Sequence, residues 1–519
     1  MVTVMGAGGS TFYIPFASAS VPTYAYQLAD IAGLEIASGT AVPFTVDGSP
    51  IPAVPAGKQL VVYDTLPIAV ALPDTVPAML FSNAAVITTI TSGAISGDYM
   101  VVGDGGIDFT AGAGLFYLIA GNGPAKLNFA PGVGGGTVQL GDGNATINAI
   151  GGNNTIISGT GNHTVTFGIG TNYLTTSGSD TVYAGPGDAN IYAGSGSSDL
   201  VFLSSGTADV RLGTTATVLG GSGSSRVSNY GSLSSALFAA GSGSSFFSGN
   251  GTVVGGSGPL AVTNYFVYNP RYPVTDPGPG ILLFGGSNTN TISVNYGSNS
   301  IIGNAAGTMD IDNSSPNGLL AFTRGTTTVT GTGVETVIGV DGVLTVTNGW
   351  GLFLGAPGGN NHITATGNAT IFGVAAGDVL AASSMVNNQK IAIVGGAGAE
   401  TISGAGSTST NTFFAGSGPE FIQAGNWITS IVTGTGAATV AGGAGISLTA
   451  FVKGQHPDVV MQGFTAGKDF LTLINFSAGE AAAALAGAQT VAGSEALTLS
   501  DGTHITFQGI NGLSAANFL

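Results

Sequence analysis

The chain has 519 residues, with 89 Gly, 21 Pro and no Cys; 7% of the residues are charged and the formal net charge is −17. Nine Lys and Arg scattered over that length exclude the basic stripe that nucleic acid or an anionic membrane surface requires, and the lack of Cys excludes disulfides and thiol chemistry. Disorder is also excluded, because Val, Ile, Leu, Phe and Thr recur at regular spacing, whereas disordered chains are apolar-poor and highly charged.

Residues 1–100 hold nine of the 21 prolines, and "VPFTVDGSPIPAVPAGKQLVVYDTLPIAVALPDTVP" alternates short apolar runs with turn residues. Strands broken by Pro are short or lie at sheet edges, so this region reads as a small N-terminal all-β domain. The first charged residue is Asp30. The opening segment is therefore long, neutral and β-prone, suited to pairing with another chain's sheet edge. It has no basic start and no continuous apolar core, so no cleaved secretory signal is expected. No run of 18 apolar residues predicts a transmembrane helix.

Residues 101–258 are repetitive. "GDGNATINAIGGNNTIISGTGNHTVTF" (141–167) divides into three nine-residue units. Columns nine apart run through Gly134, Gly143, Gly152, Gly161 and Gly170, through Thr137, Thr146, Thr155 and Thr164, and through Asn144, Asn153 and Asn162. Val138, Ile147, Ile156, Val165 and Leu174 form an aliphatic column, which resumes after a one-residue slip at Val182, Ile191 and Leu200. A Gly turn followed by a short strand with one inward aliphatic cannot bury that side chain alone. Stacked units bury a continuous stripe, and Thr and Asn form ladders on the coil surface. The pattern predicts a parallel β-solenoid, β-roll-like or β-helix-like.

Residues 259–280, with five prolines, read as a loop or insertion between two solenoid segments. Repeats return over 281–450 in "GTGVETVIG" (331–339), "GNNHITATGNATIFG" (359–373), "GGAGAETIS" (395–403), "AGSGPEFIQ" (415–423) and "TGTGAATVA" (433–441). Residues 451–519 form a C-terminal β cap, with one helical piece around Ala478–Ala488 and a tight turn in "SDGTHITF".

These nonapeptides resemble the haemolysin-type RTX calcium-binding repeat, glycine-glycine-x-glycine-x-aspartate-x-aliphatic-x. "GFTAGKDFLTL" (463–473) and "LTLSDGTHITFQGINGL" (497–513) are similar to the region that follows such repeats in proteins exported by type I secretion, which implies an uncleaved C-terminal export signal. The resemblance covers roughly 101–519. It implies calcium between coils, held by the sixth-position aspartate and turn carbonyls. Here that position is mostly Ala145, Asn154, His163 and Ala189, and an acid stands only at Asp180, Glu335, Glu400 and Glu420. Calcium takes about six to eight oxygens, so most coils are expected to be calcium-free, with these four carboxylates as the calcium candidates. Glu400 and Glu420, one two-unit coil apart, are the pair able to share an ion; solvated turn carboxylates are the plainer alternative, also for Asp180 beside Asp188 and Asp199.

No catalytic constellation is legible. His163, His362, His456 and His504 lack ligand spacing, and His163 and His362 read as surface turn residues. Asp310 and Asp312 share one strand face, as paired carboxylates in a glycosidase do, with plain solvation the simpler reading. Trp350 and Trp427 are isolated, and the G-x-G triplets lack a following G-K-[ST].

The expectation is an extracellular structural protein, not an enzyme, that assembles with itself into a fibre, surface layer or biofilm matrix. Its other partners would be the type I secretion apparatus and cell-surface polysaccharide, without nucleic acid or membrane insertion. The alternative is a calcium-dependent adhesin for a surface glycan, which needs exposed aromatic and carboxylate groups clustered on one solenoid face. A polysaccharide lyase or epimerase ranks third, because such sites use basic residues that are scarce here.

Overall fold

A computed structural model describes the chain except residues 1, 6–10, 15–22, 67–68, 133, 195–197, 214, 231–235, 265–278, 305 and 316–317. The proline-rich 259–280 segment thus lies largely outside the described residues. The chain divides into two compact units, Met1–Leu260 and Ala261–Leu519, and each is a parallel β-solenoid.

In the first unit the coil strands from Gln59–Asp64 onward pair in parallel with the strand two places on, so each coil contributes one strand to each of two sheets. Val138 pairs with Ile156 and Ile156 with Leu174 in one sheet; Ile147 pairs with Val165 in the other. All five are buried, and each inward aliphatic contributes roughly 1.5–3 kcal/mol. The nine-residue aliphatic column is therefore two columns of 18-residue period, one per sheet. Leu200 departs from it. Val182 pairs with Val201, because this coil holds one residue more, and Leu200 points outward beside the buried Val201.

The coils start at the strand Ala41–Thr45. Before it, β1 (Val2–Met5) and β2 (Thr11–Ile14) form an antiparallel pair, followed by α1 (Thr23–Ser38). This helix lies in the stretch that the sequence led us to expect as all-β. Its buried residues Ala25, Leu28, Ala29 and Ala32 have the spacing of one helix face. They pack, with Val2, Val4 and Ile14, on Val61, Tyr63, Met79, Phe81, Val101 and Ile119. Tyr63, Phe81, Val101 and Ile119 form one register column on the sheet face opposite the buried Val62, Leu80, Met100 and Leu118. The N-terminal elements thus cover an apolar outer face.

In the second unit the parallel pairing resumes and ends in a cap. Asp458–Gln462 pairs in parallel with His504–Gln508, and His504–Gln508 pairs antiparallel with Ser494–Thr498. The antiparallel strand ends the stack on that side. Helix α2 (Glu480–Ala486) falls where the Ala-rich segment predicted it.

Candidate functional site

Within each strand two kinds of position face inward: the aliphatic, and two residues before it the sixth position of the repeat. The sixth position is therefore not a surface turn site. Ala145, Asn154, His163, Asp180 and Ala189 are all buried. Because the strands are in register, these residues stack into two columns, Ala145–His163–Asp180 on one sheet and Asn154–Asn172–Ala189 on the other.

The structure places the four predicted calcium residues in three locations. Glu400 and Glu420 are register neighbours, and Asp378 precedes Glu400 in the same column, its carbonyl accepting from the Thr401 N–H. Glu400 Oε2 accepts from the Gly396 N–H at 2.8 Å and Glu420 Oε1 from the Gly416 N–H at 2.5 Å. Their other oxygens, Glu400 Oε1 and Glu420 Oε2, are buried without a hydrogen-bond partner. Burial pushes both carboxyls up to about 7; Asp378 adds to the rise at Glu400, and Glu400 to that at Glu420.

Glu335 stands elsewhere, between Leu319 and Gly351 in the register. It accepts one bond, 3.2 Å from the Asn313 amide, and burial pushes its carboxyl up to about 8. Asp180, in the first unit, belongs with His163. Asp180 Oδ1 lies 2.7 Å from His163 Nδ1 and accepts the His163 backbone N–H at 2.6 Å. The imidazole Nε2 lies 3.2 Å from the Gly143 carbonyl oxygen. His163 is thus a core residue rather than a surface turn residue, and both ring nitrogens face acceptors. Asp199 Oδ1 in turn accepts the Asp180 N–H at 3.0 Å. Asp188 faces outward on a strand of the opposite sheet.

The side-chain oxygens at these places make up a small part of a calcium shell. Glu400 Oε1 and Glu420 Oε2 would supply two of roughly six to eight oxygens. Asp180 faces an imidazole and N–H donors, and Glu335 is a single carboxylate. Among the described residues no group of three or more His, Cys, Asp or Glu could hold a metal ion. Asp310 and Asp312 do share one exposed strand face, flanked by Thr and Ser. His362 is exposed, at the start of its strand. No described helix is long and apolar enough to cross a membrane.

A feature missed in the sequence lies on the outside of the second unit. Phe284, Ile302, Phe322, Ile338, Leu354, Phe372, Val394, Phe414, Val432 and Ala450 are successive register partners on one sheet. All face outward, and the four Phe are 36–41% exposed. At about 4.8 Å per strand the column is about 40 Å long. Leu282, Leu320, Leu352 and Trp350 are also exposed on this face; Lys390 is the single charged outward residue within these described strands, and the exposed Arg324 directly follows the Leu319–Thr323 strand. The signal was the recurrence of Phe or an aliphatic residue near the end of successive strands, but coils of 16 to 22 residues hid its period.

No protein family, curated protein or solved structure matches this chain. The likeness to RTX repeat proteins therefore stands at the level of the parallel β-solenoid. The comparisons add no chemistry to the buried acids or the outer faces.

Proposed function

We propose that this is an extracellular structural protein, not an enzyme, that assembles with copies of itself through the apolar outer face of the second unit. The uncovered column from Phe284 to Ala450 carries this reading. At roughly 200 Å² per aromatic side chain, Phe284, Phe322, Phe372 and Phe414 alone expose about 300 Å². With the neighbouring Leu, Ile, Val and Trp the face approaches the roughly 800 Å² per partner of a standard interface. Exposed apolar patches beyond a few hundred Å² mark interaction sites.

A second copy suits this face better than a charged partner. Its sparse charge, Lys390 with Arg324 at a strand end, leaves little to repel an identical surface, and two flat sheet faces pack about 10 Å apart with interdigitating side chains. The comparable column Tyr63–Phe81–Val101–Ile119 is already covered by α1 and the β1–β2 pair, so this sequence does bury such faces where it has a cover. Export through the C-terminal region and a place in a surface layer, fibre or matrix follow the RTX-like reading and belong to the same proposal.

Sedimentation velocity of the purified chain tests it. Dimers or larger species are expected at micromolar concentration, and Phe322→Ser/Phe372→Ser/Phe414→Ser should sediment as a monomer with a near wild-type melting temperature. A wild-type chain that stays monomeric, or a variant that assembles equally well, overturns the proposal.

A further inference from the structure

On the first unit's outer surface, six outward residues form a grid of two columns and three strands. Tyr173, Asn190 and Asp209 are successive register partners, and so are Thr175, Tyr192 and Arg211. Tyr173 and Tyr192 are 51% and 50% exposed. They occupy diagonal corners on adjacent strands, and the Arg211–Asp209 ion pair, 3.0 Å between Nη2 and Oδ2, closes the third strand. The six line an open cleft of about 200 Å³.

We propose that this cleft binds one ring of a neutral saccharide. The spacing of the tyrosines is the first argument. Where aromatics in this unit are direct register partners they close on each other: Tyr183 and Phe202 stack at 4.9 Å and 6°. Tyr173 and Tyr192 are offset by one strand and two residues, which sets their backbones about 8 Å apart. A sugar ring touching one aromatic on each side needs roughly 3.5–4.0 Å of contact to each, a span that a backbone separation of about 8 Å accommodates.

The polar groups are the second argument. A pyranose presents C–H groups to aromatic faces and hydroxyls around its rim. The negative π face attracts the former. Around the tyrosines stand an amide (Asn190), a carboxylate (Asp209), a guanidinium (Arg211) and a hydroxyl (Thr175), which together donate and accept. A cavity of about 200 Å³ is smaller than the roughly 300–1,000 Å³ of drug-sized sites, which matches one ring, and its open side lets a polymer run past.

Charge decides the class of sugar. Asp209 already neutralises Arg211, and the chain carries a net charge of −17. A uronic acid would approach a negative molecule without a free cation to meet it, so the ligand is a neutral hexose unit.

Titration of the full chain with soluble glucan, mannan, galactan and polygalacturonate, read by tyrosine fluorescence and calorimetry, tests this. At least one neutral polymer should bind at millimolar or lower concentration. Tyr173→Ala and Tyr192→Ala should each weaken that binding at least tenfold, roughly, without moving the melting temperature, while Tyr173→Phe keeps most of it. The Phe322→Ser/Phe372→Ser/Phe414→Ser chain should bind like the wild type, since the cleft shares no residue with the self-assembly face. Failure of all neutral polymers, binding indifferent to both tyrosine variants, or preference for polygalacturonate overturns the inference.

Discussion

Glu400 and Glu420 face each other across one strand spacing inside the core, each with one oxygen on a turn N–H and the other unpaired. Two adjacent buried carboxylates cannot both ionise cheaply. The column is stable when it holds protons.

The stability of the chain should therefore fall as pH rises. Glu335, Glu400 and Glu420 ordinarily titrate near 4.5 and are raised to about 8, 7 and 7 in the folded state. Below about pH 4.5 both states hold the protons and stability is full. Between about 4.5 and 8 the unfolded chain releases protons that the fold retains, so stability declines, levelling off above that window. Each tenfold gain in proton affinity on folding is worth about 1.4 kcal/mol, so the three carboxyls together contribute on the order of several kcal/mol. Thermal melts at pH 5.5 and 8.5 should show the higher midpoint at pH 5.5, and Glu335→Gln/Glu400→Gln/Glu420→Gln should narrow the gap.

Calcium should not move the melting temperature. Two unpaired carboxylate oxygens between Glu400 and Glu420 make a small part of its usual shell. Calorimetry with millimolar calcium against chelator at pH 7.5 checks this, and a rise of several degrees lost in Glu400→Gln/Glu420→Gln would assign an ion to that pair.

His163 and Asp180 should be worth more together than apart. Both side chains are fully buried, and removing one member of a buried pair typically costs about 3–5 kcal/mol. Asp180→Ala should lower the denaturant midpoint clearly, while His163→Leu/Asp180→Ala should recover part of the loss because the imidazole is no longer stranded and only the backbone N–H of residue 163 lacks its acceptor. Urea titrations of the single and double variants separate these outcomes.

Gly416→Ala should damage folding more than its size suggests. A Cβ on Gly416 would collide with the Gly396 carbonyl oxygen one coil away, in the turn whose N–H holds Glu420. Reduced soluble yield and a new protease-sensitive site near residue 416 are the expected signs, read by limited proteolysis and mass spectrometry.

The stacked fold was legible in the sequence because one physical rule repeats: a Gly turn, a small or polar inward position, an aliphatic inward position. Val138 to Leu174 obey it without interruption. It was lost at Leu200, where one extra residue changes the parity of the strand, and at α1, whose Ala-rich face carries no coil signal. The site was less legible. Position six looks like a turn residue in a linear alignment, and only the register shows that His163 faces Asp180 and Glu400 faces Glu420. The Phe284–Ala450 column and the Tyr173–Tyr192 cleft depend on which residues of successive coils stand side by side, and variable coil length conceals that in one dimension.

The cover formed by α1 and the β1–β2 pair bears on the order of events during synthesis. Each later coil needs only its predecessor to complete its hydrogen bonds, so the stack can grow as the chain emerges. The N-terminal elements instead rest on strands that reach Ile119. Until that residue has been made, roughly the first forty residues have no complete platform and carry exposed apolar side chains, a state prone to misassociation. Pausing translation just before or just after the Ile119 strand would thus release nascent chains that differ sharply in susceptibility to chaperone capture.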